Sequence, residues 1–235
     1  MTDAGHIAVQ RCCRETLFSA APRPYSWAMP TMSMNRVIHG AFRRDLDRFV
    51  DALDAFQDGD ADRAAALGRA WANFDTQLTH HHKGEHEVAW PHLERAGITR
   101  ELLDQMDAEH EVMAAALAAA RPAMADLERE PTREHAEAAR AAMEALRTAT
   151  VTHLDHEERE LEAFYVTNAE HPEVKAMEGE FRKQSPAVGG TFFAWILDGI
   201  TPDARAAIPV PGVVFAILTG VFGRTYRREV APVWR

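Results

Sequence analysis

The chain has 235 residues, 46% hydrophobic and 26% charged, enough to bury one sizeable core and to form a single domain with appendages. Its 36 acids against 26 lysines and arginines leave a formal charge of −10 and argue against nonspecific nucleic-acid binding, which needs clustered cations to displace counterions. The two cysteines, Cys12 and Cys13, are adjacent and build no disulfide framework, and Arg11, Arg14, Glu15 and Arg23 break any apolar run of a secretory signal, so a cytoplasmic location is expected.

Residues 1–31 show no sustained period and read as an N-terminal arm to which no function is assigned. From 32 to 168 the pattern is helical throughout, punctuated by QDGD at 57–60, AGIT at 96–99 and REPT at 129–132. Three short connections predict four helices running up and down, an all-α antiparallel four-helix bundle. Asp60 and Thr132 stand at helix starts, where a short side chain caps free N–H groups, and Thr99 is followed by Glu101, which suits the dipole of the third helix.

Each helix carries an apolar seam in steps of three and four, the mark of helices whose stripes face one another. The first seam runs Asn35, His39, Phe42, Leu46, Phe49, Leu53 and Phe56, and the second Trp71, Phe74, Leu78, His81, Glu85 and Val88. The third runs Leu103, Met106, His110, Met113, Leu117, Ala120 and Met124, and the fourth Met143, Leu146, Thr150, His153, Glu157, Leu161 and Phe164. After residue 168, a tail over 169–235 is cut by Pro172, Pro186, Pro202, Pro209 and Pro211 and is expected to be helical and to pack on the bundle. Its uncharged run AAIPVPGVVFAILTGVFG, 206–223, approaches the shortest bilayer span, but its prolines favour packing on the bundle over membrane contact. Peripheral contact through Arg224, Arg227, Arg228 and Trp234 is the alternative.

The polar interruptions of the seams repeat. His39 is followed 42 residues later by His81 and then Glu85, and His110 is followed 43 residues later by His153 and then Glu157. Four residues advance about 6 Å along a helix and about 40° around it, so each HxxxE pair points into one space. Burying an ionised carboxylate costs several kcal/mol, against a domain stability of about 5–15 kcal/mol, so two of them in one seam need compensating positive charge. A pair of metal ions supplies it and takes neutral imidazoles as donors. Any one of these histidines alone would read as an ordinary hydrogen-bonded core residue; the six residues on four matched seams read as ligands. His80, His82, His86, His92 and Glu87 lie off the seam and read as solvated or as contacts behind the ligands. His156 and Glu158 read alike, with Glu158 a substitute for Glu157 if the fourth helix turns slightly. His6, His135 and His171 read as surface residues. Nitrogen-rich donors with open positions suit non-haem iron, with zinc the competitor, and the ExxH pairs of ferritin-type bundles are missing.

The runs VIHGAFRRDL around His39, HHHKGEHEVAWPHL at 80–93, DAEHEVMAAAL around His110 and HLDHEERELEAF at 153–164 resemble the hemerythrin-like, or HHE cation-binding, family. The tail segment RTYRREVAPVW resembles that of actinobacterial members. The resemblance implies a di-iron centre with an oxo or hydroxo bridge, His39, His81, His110 and His153 as terminal ligands, and Glu85 and Glu157 as bridges. One departure stands out: the oxygen carriers have a second histidine on the third helix, where this chain has Met106 and Ala114. The position left open favours exchange with water, peroxide or substrate, unless Tyr25, Tyr165 or a tail residue fills it. The expected function is binding or reduction of dioxygen, peroxide or nitric oxide, with catalase-like or peroxide-reducing activity favoured. Alternatives are an oxygen or iron sensor without turnover, an oxygenase with the tail as lid, and a structural zinc site.

Overall fold

A computed structural model describes residues 32–208, 210 and 212–235, so the arm over 1–31, with His6 and Tyr25, lies outside the described residues. Four long helical stretches come first: α1 (Met34–Asp54), α2 (Ala61–Gly84), α4 (Arg100–Arg129) and α5 (Arg133–Thr167). A widened turn over Glu85–Ala89 extends α2 into the short α3 (Trp90–Arg95). Side-chain oxygens of Asp60 and Thr132 accept the N–H groups of Arg63 and His135, so the expected caps form, and Ser33 and Thr99 cap their helices in the same way by accepting from Arg36 and Leu102. Gly59 and Gly97, at φ 81° and 103°, turn the chain between helices where a side chain would be strained.

The long helices pack α1 on α2 and α5, and α4 on α2 and α5. Pairs across α1 and α5 run in opposing order: Ser33 meets Glu162, His39 meets Glu158 and Asp47 meets Arg147. Across α2 and α4, Asp75 meets Arg121 and His86 meets Asp107. Two apolar layers result. The larger holds Phe42, Leu46, Phe49, Leu53, Phe74, Leu78, Leu117, Met124, Met143 and Leu146; the smaller holds Trp90, Leu93, Leu103, Met106 and Leu161. Burying each large side chain contributes about 1.5–3 kcal/mol, and the polar residues of the seams lie between these layers.

The tail continues as α6 (Pro172–Phe181), α7 (Pro186–Leu197), α8 (Pro202–Ala207) and α9 (Gly212–Ile217), then wide turns at Leu218–Phe222 and Tyr226–Val230 and a tight one at Ala231–Trp234. It is clasped to α1 through a buried carboxylate: Asp45 accepts from Trp195 Nε1 at 2.7 Å and Arg44 Nε at 2.8 Å. Arg44 also donates to carbonyls at the end of α7, and Tyr226 donates to Asp198. The Trp195 ring packs on Phe42, 4.9 Å between centroids. A Cβ on Gly223 would sit 2.6 Å from the Ala194 Cβ, so this close crossing requires glycine. Among the described residues no helix is long and apolar enough to cross a membrane.

Candidate metal centre

All six seam residues arrive at one level, and they sort into two overlapping groups. In the first, one donor atom each from His39, His81, Glu85 and Glu157 lies within 4.8 Å of every other. In the second, His82, Glu85, His110 and His153 do the same. Glu85 belongs to both. Its Oε1 is 3.1 Å from His81 Nε2 and its Oε2 is 3.3 Å from His110 Nε2, so its two oxygens face different groups.

Two features depart from the seam reading. Glu157 groups with the histidines of α1 and α2, with Oε2 3.1 Å from His39 Nε2 and 3.8 Å from His153 Nε2. His82, which its phase sets off the seam, brings a third imidazole to the second group. The helical wheel explains this: Glu85 lies about 40° past His81 and about 60° short of His82, hence between them. The signal was in the HHxxE string, where adjacent histidines straddle the angle of the glutamate. Glu158 is not in either group; it lies behind His39.

The donor atoms crowd one another without completing hydrogen bonds: His39 Nε2 stands 3.1 Å from Glu157 Oε2, and His81 Nε2 3.1 Å from Glu85 Oε1. Among the described residues, His39 Nε2, His81 Nε2, His82 Nε2, both Glu85 oxygens and Glu157 Oε2 are buried without a hydrogen-bond partner. An unsatisfied buried polar atom costs about 1–3 kcal/mol, so six within one layer are not sustainable without something between them. His110 Nε2 and His153 Nε2 stand 3.1 Å apart, where two neutral imidazoles can share only one proton. This donor set fits a pair of cations, with Glu85 between the two positions.

The outward nitrogens are tied down. Glu158 Oε1 is 3.0 Å from His39 Nδ1 and accepts from Arg43 at 2.6 Å. Glu109 spans His153 Nδ1 at 2.9 Å and His156 Nδ1 at 2.7 Å. Such contacts place the proton on Nδ1 and leave Nε2 free to ligate. Asn35 Nδ2 donates to Glu157 Oε1 at 2.9 Å, which leaves Oε2 as the oxygen facing the centre.

The electrostatics follow from burial. Burial, reinforced by the Glu157 charge, pushes Glu85 well above the usual carboxylate range. Glu157 moves down despite burial, because His39 compensates it. Burial opposes a charge on His39, but Glu157 and Glu158 outweigh it and push it up to about 9. Burial and neighbouring imidazoles hold His81 and His82 well below the ordinary histidine value, and burial with His110 brings His153 down to about 4. His81, His82 and His153, kept neutral, are ready donors to a cation, whereas an ion at His39 has to displace its proton. Burial pushes the Tyr165 hydroxyl well up and keeps it protonated.

Helices that bring imidazoles and carboxylates into a common layer, with the donor atoms of each group within 4.8 Å of one another, have the side chains a cation-binding helical protein needs. The hemerythrin HHE cation-binding domain matches residues 35–182, well over half of the chain, and the chain belongs to that family. The match runs past α5 to the end of α6. No curated protein and no solved structure matches the chain.

Proposed function

We propose that the chain is a non-haem di-iron protein, an antiparallel up-and-down bundle whose centre binds or reduces dioxygen, peroxide or nitric oxide, with peroxide breakdown the favoured activity. The opposing order of the α1–α5 and α2–α4 pairs supports the topology. The observation that carries the metal reading is the pair of donor groups sharing Glu85, with six buried atoms left without partners among the described residues. His39, His81, Glu85 and Glu157 would hold one ion, and His82, Glu85, His110 and His153 the other. Imidazole-rich sites with a carboxylate suit iron, and zinc accepts the same donors.

Two irons, when bound, would supply the electrons that reduce dioxygen, nitric oxide or one peroxide and, in peroxide breakdown, would recover them from a second peroxide, which leaves as dioxygen. The protein's part is to position and to seal. Glu85 offers one oxygen to each position and neutralises charge between them. Asn35 limits Glu157 to a single free oxygen. His39, His153 and Glu157 are wholly buried, whereas His81, His82 and His110 keep some exposure, so the α2–α4 face is the thinner wall over the centre. His82 takes the place of the nitrogen that Met106 and Ala114 do not supply.

The test is a metal count joined to a spectrum and an oxygen electrode. About two irons per chain, near-ultraviolet absorption from an oxo bridge and release of dioxygen from added hydrogen peroxide are expected. Zinc alone, or no metal in protein purified without additions, would leave only a structural role. A sensor reading is favoured by one contact chain: Phe42 touches the His81 ring at 5.1 Å and the tail's Trp195 at 4.9 Å. Metal-dependent protection of the tail from proteolysis, without peroxide turnover, would select it.

A further inference from the structure

We propose that Trp90 is a positioning residue for His110, acting through Asp107, and that the widened turn before it is what delivers it; this rests on reading His110 as a metal ligand. The cause of the turn is in the sequence. Pro91 has no N–H to give, and its ring would collide with the carbonyl of residue 87 in a regular helix. The helix instead widens over Glu85–Ala89, and the Trp90 N–H reaches back five residues to the Glu85 carbonyl.

That extra residue changes which side chain faces the centre. In an uninterrupted α-helix residue 90 stands about 140° around from residue 85, pointing away from it. The widened turn absorbs one residue, so Trp90 takes the phase that residue 89 would have held, about 40° from Glu85. The outcome is visible: Trp90 is 1% exposed, and its ring lies nearly parallel to His110, 5.8 Å between centroids at 11°.

Its indole nitrogen has a definite task there. Trp90 Nε1 donates to Asp107 Oδ1 at 2.8 Å, and that same oxygen is 3.6 Å from His110 Nδ1. His86 Nδ1, on the exposed side, lies against both Asp107 oxygens, 3.1 Å from Oδ1 and 3.0 Å from Oδ2. Asp107 is the carboxylate behind His110, as Glu158 is behind His39 and Glu109 behind His153. Unlike those two, it sits beyond direct hydrogen-bond reach, and of the two groups on its Oδ1 the buried indole N–H makes the shorter contact, 2.8 Å against 3.1 Å for the exposed His86, and so does most to fix where that oxygen lies. Trp90 therefore touches no cation position itself; it stacks on the imidazole and anchors the acid that orients it.

The experiment titrates metal-free protein with ferrous iron under anaerobic conditions, for the unaltered chain, Trp90→Phe, Asp107→Asn, the double variant and Leu93→Ala. Trp90→Phe keeps an aromatic ring and deletes the N–H. The unaltered chain is expected to take two equivalents. Trp90→Phe and Asp107→Asn should each weaken one of them by about 10–100-fold, the range for lost contacts behind a ligand. The double variant should be no worse than the stronger single, because one residue acts through the other. Leu93→Ala, a cavity in the same apolar layer, should lower the melting temperature while leaving both equivalents intact. Undiminished binding in Trp90→Phe, additive effects in the double, or the same loss in Leu93→Ala would each overturn the inference. Failure of the unaltered chain to take two equivalents is a separate result, which sinks the di-iron reading and this inference with it.

Discussion

Replacing His82 by alanine separates the value of an imidazole as a ligand from its cost as a buried group. In the metal-free protein its Nε2 is buried without a partner among the described residues, an arrangement costing about 1–3 kcal/mol. Deleting the ring relieves that cost and forfeits its stacking on His110, 4.5 Å between centroids. The two effects oppose, so metal-free stability should shift by less than about 1 kcal/mol. With metal, the second group falls from four donors to Glu85, His110 and His153. Four-donor zinc sites bind with about 10–16 kcal/mol, so one donor is worth about 3 kcal/mol, roughly a hundredfold in affinity. For a chain of this length that removes about 6–12 °C of the metal-induced rise in melting temperature. Chelator competition and calorimetry with and without metal read both numbers. An unchanged second equivalent and an unchanged thermal rise would show that His82 is a bystander and that the grouping by distance misleads.

Glu85→Ala should cost more than any single histidine variant, because it serves both groups; iron content should fall toward zero along with dioxygen release from peroxide, and full retention of iron would refute the shared-ligand reading. The metal-free protein should be most stable near pH 6.5. His153, brought down from 6.5 to about 4, contributes stability above its unfolded value that is lost as pH falls through that window, on the order of 3 kcal/mol. His39, raised from 6.5 to about 9, contributes stability below its unfolded value that is lost as pH rises toward 9. A melting temperature that climbs or falls steadily from pH 4 to 9 would contradict the pair. Asp45→Ala should destabilise by about 3 kcal/mol in urea, since it strands the buried Trp195 N–H and unpairs Arg44, and it should loosen the tail more than the bundle, as read by proteolysis. Equal protease resistance would mean the clasp does not hold the tail.

Much of this arrangement could be read from the string. The caps at Asp60 and Thr132 and the three connections lie where turn chemistry puts them, because local backbone bonding decides both. The six seam residues converge because the 3.6-residue period fixes which side chains share a face. Two things failed on that simple period. Val88, expected on the second seam, is half-buried while Ala89, Trp90 and Leu93 are buried, since the Pro91 turn moves the phase by one residue. His82 reads as off-seam only if a seam is one residue wide.

The sequence by itself determined that helices form, where they stop, and that imidazoles and carboxylates meet at one depth, since these depend on neighbours three and four residues away. Only the tertiary structure decided which donor atoms come within reach of one another. Glu157 groups with His39 and His81 across the bundle, Asn35 occupies one of its oxygens, and Trp90 reaches Asp107. Those pairings depend on how far each helix is rotated and slid against its neighbours, and packing between helices sets that, not the period within one.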